Sequence, residues 1–285
     1  ISSVISFGYD NEIIKPHYYS VDLDDYGIHA QYAPSHQSGI YEIDFTTETE
    51  PVYLVFNTGD GEIVSEKNSI SGFQRLANDT RVYIYFETDI QPVEVGTHKA
   101  EKIDSSVKIT SGHNAYFIMK YPAGTKTIKA RYGVSFISAE QARRNLKREI
   151  TNYSLAQVSQ KAKNAWNETL GKIEVTGVDE SAKTVFYTSM YRIYERMICI
   201  SEDGRYYSAF DKQVHNDNGI PFYTDDWMWD TYQAAHPLRV IIDAEKEVAM
   251  INSYLRMADE MERPWMQKFP ELTGDSRRMN DNHGV

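Results

Sequence analysis

Val82-Tyr83-Ile84-Tyr85-Phe86 puts aliphatic or phenyl side chains at every second position, with phenols between them. Successive side chains of a strand point to opposite faces, so this period of two belongs to a sheet with two different faces. Short runs rich in β-branched and aromatic residues recur on both sides of it: Ile40 to Phe45, Val52 to Phe56, Val107 to Thr110, Ala115 to Tyr121 and Thr127 to Val134. Turn residues separate them, among them Asp24-Asp25-Tyr26-Gly27, Gly59-Asp60-Gly61, Ser111-Gly112 and Pro122-Ala123-Gly124. Many short strands without helical stretches between them predict an antiparallel β-sandwich over residues 1–136. Ile1 to Phe7 is itself apolar and β-like, so the sequence is expected to begin inside a strand and to be a piece of something longer.

After Phe136 the period changes to that of helices. Ser138 can cap a helix from Ala139 to about Ile150. Ser154 can cap a second, in which Leu155, Val158, Ala162, Ala165, Trp166 and Leu170 recur at three- and four-residue steps before Gly171. A third is expected from Asp179, with Val185, Phe186, Met190, Ile193, Tyr194 and Met197 on one side, and more helix from Asp243 to Glu262. Residues 137–176 are therefore expected to form a helical connector, and 177–285 the first part of a helical domain.

The chain has 285 residues, 30 Lys and Arg against 41 Asp and Glu, and a formal net charge of −11. That length favours more than one domain, and the acidity argues against a nucleic-acid partner, which needs a basic face. No apolar run approaches the roughly 18 residues of a membrane span. Cys199 is the single cysteine, which excludes an internal disulfide or a multi-cysteine metal site. Phosphate-binding glycine loops, the Gly-x-Ser-x-Gly elbow and His-Glu-x-x-His are all missing from the sequence. Asp22, Asp24 and Asp25 alternate like calcium-loop carboxylates but lack a closing Glu and read as a turn. His17, His29, His36, His98 and His113 have no metal-ligand spacing.

The most unusual stretch runs from Gly204 to Pro237, long for a connection between helices. It sets Tyr206, Tyr207, Phe210, Phe222, Tyr223, Trp227 and Trp229 beside Asp217, Asp225, Asp226 and Asp230. Rings beside carboxylates suit a sugar, whose C–H faces stack on aromatics while its hydroxyls donate to carboxylates. Plainer readings stand beside this one. Asp230 with Gln233 has capping-box spacing. Asp225 and Asp226 read as a solvated loop pair. His236, before Pro237, reads as a kink or turn residue. Trp227 and Trp229 are two apart and should face different ways, with packing the default for each.

Phe222-Tyr223-Thr224, Trp229-Asp230-Thr231 and His236-Pro237-Leu238 together resemble the Phe-Tyr-Thr, Leu-Trp-Asp-Thr and His-Pro-Leu signature of glycoside hydrolase family 92, the exo-acting α-mannosidases. Pro16 to Ile28, with Tyr18-Tyr19 and Asp25-Tyr26-Gly27-Ile28, and Met279-Asn280-Asp281-Asn282-His283 resemble two further family segments in the family's order. His17, Trp227-Met228 and Asp281 depart from the family pattern.

The resemblance implies a β-sandwich, a helical connector and the beginning of an (α/α)6 barrel. It further implies calcium-dependent, inverting, exo-acting hydrolysis of terminal α-mannose, of α-1,2 type, from N-glycans or mannans. The glycan is then the partner, together with the remaining parts of the same enzyme. Trp229, Asp230 and His283 are the expected sugar-binding residues. An inverting glycosidase needs an acid and a base roughly 6.5–9.5 Å apart. By resemblance both lie beyond Val285, so this chain alone is expected to be inactive, and the Ca2+ ligands are not identifiable in it. A periplasmic or secreted location is likewise implied only by resemblance. Two alternatives stay open: a non-catalytic carbohydrate-binding or structural fragment, and an unrelated α/α-barrel glycosidase.

Overall fold

The computed structural model describes residues 8–57, 59–99, 102–105, 109–113, 116–262, 265–276 and 278. The chain forms two compact units, Ile1–Arg75 with Arg81–Trp166, and Leu76–Thr80 with Asn167–Val285. Ile1 to Phe7, Val107, Ala115 and the Met279 to His283 segment, all part of the sequence expectations, lie outside the described residues.

The first unit holds strands β1 (Tyr9–Lys15), β2 (Tyr18–Leu23), β3 (Ile28–Pro34), β4 (Ser38–Phe45), β5 (Tyr53–Asn57), β6 (Asp60–Glu66), β7 (Ser69–Arg75), β8 (Arg81–Thr88), β9 (Glu94–Lys99), β10 (Lys102–Asp104), β11 (Ile109–His113), β12 (Tyr116–Lys120) and β13 (Thr127–Ser135). They build a nine-stranded sheet in the order β1-β2-β3-β4-β13-β8-β7-β6-β11 and a four-stranded sheet in the order β10-β9-β12-β5. Phe45, Ile63, Ile70, Phe86, Ile128 and Ala130 from the large sheet meet Phe117 and Met119 from the small one in a single buried cluster. This is the expected antiparallel sandwich. Asp24–Tyr26 forms a one-turn 3-10 helix closed by Gly27 at φ 57°, so the aspartate run there is a turn, as its spacing implied.

The alternation in Val82 to Phe86 acquires a physical cause. Phe86 enters the core between the sheets, while Tyr85 packs on the opposite face against a second cluster of Ala33, Ile40, Leu146, Ile150, Leu155 and Val158. The last four of these come from or flank two helices, α1 (Ala139–Glu149) and α2 (Leu155–Leu170). Ser138 caps α1 by accepting from the Gln141 amide at 3.0 Å. At Gly133 on β13 a Cβ would lie 2.1 Å from Ala142 O of α1, so the helix reaches the sheet only because the side chain is missing. A buried ion pair fastens the same contact: Arg131 reaches Glu87 at 2.5 Å and donates to Ile150 O at 2.6 Å, and Lys147 of α1 reaches Glu87 at 2.7 Å.

The second unit contains α3 (Glu180–Ile193), capped by Asp179, whose carboxylate accepts from the Ala182 amide at 2.7 Å. After it come β14 (Ile198–Cys199), β15 (Arg205–Ser208), β16 (Gln213–Asn216) and β17 (Tyr223–Thr224). Three more helices follow, α4 (Met228–Thr231), α5 (Ala235–Ile242) and α6 (Ala244–Asp259), and then β18 (Pro270–Glu271) and β19 (Gly274–Asp275). β14 pairs with β17, β15 with β16, and β18 with β19. The helical expectation for this half is therefore corrected, because residues 198–224 carry two strand pairs and no helix, and residues 270–275 carry a third pair. In β15 Tyr206 and Ser208 are buried while Arg205 and Tyr207 are less so. That is a two-residue period, too short to stand out among the aromatic residues around it.

Candidate functional site

The loop between β17 and α5 is organised around one aspartate. Asp226 is 0% exposed. Its carboxylate accepts from Thr231 Oγ1 at 3.0 and 3.1 Å, from Tyr254 Oη at 2.6 Å and from His236 Nε2 at 2.9 Å. Its amide donates to Pro270 O at 2.8 Å. The expected solvated pair is thus corrected. Asp226 is a buried hub, and Asp225 is half-buried opposite Arg196 at 3.2 Å.

His236 is corrected as well. It is the second residue of α5, and Pro237 falls in that helix's first turn, where no backbone donor is required. Its Nδ1 lies 2.6 Å from Glu247 Oε1 of α6. Glu247 in turn receives Arg239 Nε at 3.1 Å, and Arg239 Nη1 donates to Ile193 O at 3.1 Å and Arg196 O at 2.8 Å. The last turn of α3 with the chain just after it, the loop, α5 and α6 therefore share one buried network. Its charges cancel only when His236 is an imidazolium: Asp226 and Glu247 on one side, Arg239 and His236 on the other.

Burial by itself would lower the His236 pKa, but hydrogen bonds and charge from Asp226 and Glu247 outweigh it and push it up to about 9. Burial would likewise raise Asp226, yet bonds from His236, Tyr254 and Thr231 hold it below the usual carboxylate range. The imidazole, raised above its ordinary 6.5 in the folded chain, stabilises fully below that value and loses its contribution as pH climbs through about 9. Melting temperature is accordingly expected to fall between pH 6.5 and 9.5 by several degrees, and His236→Gln to flatten that slope. Differential scanning calorimetry across the range checks it, and an equal slope in both proteins would refute the assignment.

The network holds α4 from beneath. Thr231 closes the helix onto Asp226, and Met228 is its buried residue. Trp229 and Asp230 point the other way, Trp229 at 45% exposure and Asp230 exposed. Asp230 is the third residue of α4, whose N-cap is Trp227, and Gln233 donates to Tyr232 Oη at 2.7 Å. The capping-box reading is therefore wrong: Asp230 lies past the cap and has no helix start to satisfy. Trp227 does pack, with the Arg196 guanidinium 3.9 Å from its ring centroid. The two indoles do face differently, and Trp229 is the one open to solvent. His283 lies outside the described residues.

Sequence reasoning missed Asp226, Glu247, Arg239 and Tyr254 as members of one group. Their partners are 5 to 28 residues away in the chain, and no helical or strand period links them. The usable signal was the adjacent acids Asp225 and Asp226 followed by a histidine near the start of the next helix.

Comparison with known proteins bears on both units. Residues 2–135 match the Glycosyl hydrolase family 92 N-terminal domain, and residues 141–285 match the Glycosyl hydrolase family 92 catalytic domain. A curated relative, an uncharacterized secreted glycosidase of Arthroderma benhamiae, is 26% identical over 223 residues, covering 64% of this chain and 28% of its own. A solved family GH92 α-mannosidase of Bacteroides thetaiotaomicron superposes with TM-score 0.87 at 21% identity, over 96% of this chain and 39% of that one. The family GH92 inverting mannosidase of the same organism gives TM-score 0.85 at 26% identity, over 96% and 38%. The chain thus spans well under half the length of the relatives it matches.

Proposed function

The chain belongs to glycosyl hydrolase family 92, and from that premise we propose that the whole protein is an exo-acting, inverting α-mannosidase of α-1,2 type that trims terminal mannose from N-glycans or mannans. The observation that carries this reading is the pair Trp229 and Asp230, side by side and open to solvent on a short helix fixed from below by buried charges. In it, Trp229 stacks on the apolar face of a terminal pyranose, and the Asp230 carboxylate accepts from its hydroxyls. His283 is a third contact by resemblance. A rigid base is what such a subsite requires, since displacement by about 1 Å can cost a hundredfold in rate.

The domain limits 1–136, 137–176 and 177–285 belong to the same proposal, with α5 and α6 near the start of an (α/α)6 barrel. Ile241 at 80% exposure, with Val240, Val248, Ile251 and Leu255 also exposed, gives these helices an apolar surface suited to further helices of that barrel. No helix among the described residues is long and apolar enough to cross a membrane. Export to the periplasm or medium is favoured by the secreted relative.

Calcium takes six to eight oxygen ligands. Among the described residues, one cluster of three metal-ligating side chains stands out, and it includes an imidazole. That cluster does not fit calcium, so the calcium expected for the family is assigned to other residues of the whole protein.

The test is proton NMR of the whole protein acting on α-1,2-mannobiose. Release of mannose with the β anomer formed first supports the proposal. Binding without turnover favours the carbohydrate-binding alternative, and preferential cleavage of α-glucosides favours an unrelated barrel glycosidase. Residues 1–285 alone are expected to release nothing.

A further inference from the structure

The hairpin of β15 and β16 brings a second group of ligating side chains to the end of α6. Asp211 sits in the turn, with its Oδ1 fixed by the Gln213 amide at 2.9 Å. Its Oδ2 lies 2.8 Å from His215 Nε2 on β16. Glu260, at the C-cap of α6, approaches the pair from the helix side. One ligand atom from each of the three lies within 4.8 Å of the others.

An ordinary ion pair between Asp211 and His215 accounts for two of the three groups and leaves Glu260 unexplained. Tyr206 donates to Glu260 Oε1. Glu260 Oε2 is shut off from solvent and has no hydrogen-bond partner among the described residues. A buried carboxylate oxygen without a partner costs free energy that a native structure normally avoids. The nearby Arg256 is turned to other acceptors, its Nη1 donating to Ile220 O and its Nη2 to Asp217 O, each at 2.9 Å. Helix polarity points the same way, since the C-terminal end of α6 carries partial negative charge and favours a cation.

We propose that Asp211, His215 and Glu260 bind a divalent transition-metal ion, with Zn2+ the best match. Two carboxylates and one imidazole form a mixed oxygen and nitrogen set, which suits Zn2+ or Mn2+ and is poor for Ca2+ or Mg2+. Three protein ligands leave room for water in a fourth position, and both Asp211 and His215 are partly open to solvent. The ion ties the hairpin turn to the end of α6. Tyr206 transmits the restraint inward: its ring stacks on His215 with centroids 5.5 Å apart and on Phe222 at 4.0 Å. Phe222 immediately precedes β17 and the loop that carries Asp226. The site does not rest on the mannosidase reading and stands or falls separately from it.

The experiment is calorimetric titration of ZnCl2 into the EDTA-treated, dialysed 285-residue chain, with melting temperature followed in parallel. One saturable equivalent is expected, with a rise of about 4–8 °C when free Zn2+ exceeds Kd by a hundredfold. CaCl2 should give no shift. Glu260→Gln and His215→Ala should each weaken binding at least tenfold, while His29→Ala, which removes an exposed imidazole paired with Asp22 in the other unit, should leave it unchanged. Should His215→Ala fail to fold, Co2+ loaded into the unaltered chain provides the second readout, through visible d–d absorption that Zn2+ displaces. Absence of saturable binding, binding unaffected by Glu260→Gln, or a Co2+ spectrum identical to the free aqueous ion would each overturn the proposal.

Discussion

Arg239→Ala is expected to lower the unfolding free energy of the chain by about 3–5 kcal/mol, the range for breaking a buried ion pair by removing one partner. Arg239 is 0% exposed, and three of its contacts fail together. Glu247 loses the Nε donor at 3.1 Å, and the carbonyls of Ile193 and Arg196 lose theirs at 3.1 and 2.8 Å. Two buried carboxylates, Asp226 and Glu247, are then left with His236 as the one cation of the group. Against a typical total stability of about 5–15 kcal/mol this is a large fraction. Arg239→Met separates the causes, because it fills most of the volume and keeps the charge imbalance. It should remain destabilised by more than half as much if unpaired charge dominates over the cavity. Urea denaturation at pH 7 followed by circular dichroism measures both variants. A loss under about 1 kcal/mol for Arg239→Ala would mean that water reaches the network and screens it.

The contrast between what the sequence reveals and what it hides has a physical origin in the range of the interactions concerned. β8 was legible because Phe86 and Tyr85 pack into different clusters, and a two-residue period records that directly. Caps were legible too, as Ser138 and Ser154 each accept from an amide three residues on. β6 and β7 were harder to read. Gly61 and Gly72 interrupt their apolar pattern where a Cβ would come within 2.0 Å of a neighbouring carbonyl oxygen, so close packing there removes the side chains that would have marked the strands. The site divides in the same way. Trp229 and Asp230 were recognisable as a motif, but the network beneath them depends on Glu247 and Tyr254 of α6, which reach back to His236 and Asp226 through the fold alone. Asp226 was misread for that reason: two adjacent acids in a polar loop look solvated until the helix that covers them is in place.

Asp230→Asn, introduced into the whole protein, is expected to lower kcat/KM on an α-mannoside by about tenfold or more, equivalent to ~1.4 kcal/mol of lost transition-state stabilisation. The same change should leave the melting temperature within about 2 °C. Stability should hold because Asp230 is exposed and does not cap α4, so the fold loses at most a weak interaction with the helix dipole. Activity should fall because asparagine keeps the shape of the side chain but replaces a charged acceptor by a neutral one, and charge-assisted hydrogen bonds are roughly twice as strong. Asp226→Asn, four residues earlier and chemically identical, supplies the opposite pattern: it removes charge from the buried hub beside His236 and should cost stability first. Trp229→Ala should lose activity with little loss of stability, since nearly half of that side chain is already in water. If Asp230→Asn retains full kcat/KM while Trp229→Ala does not, the sugar is held by stacking alone and Asp230 leaves the subsite. If both variants keep their activity, the proposed subsite lies elsewhere, and the network under α4 serves the fold without serving catalysis.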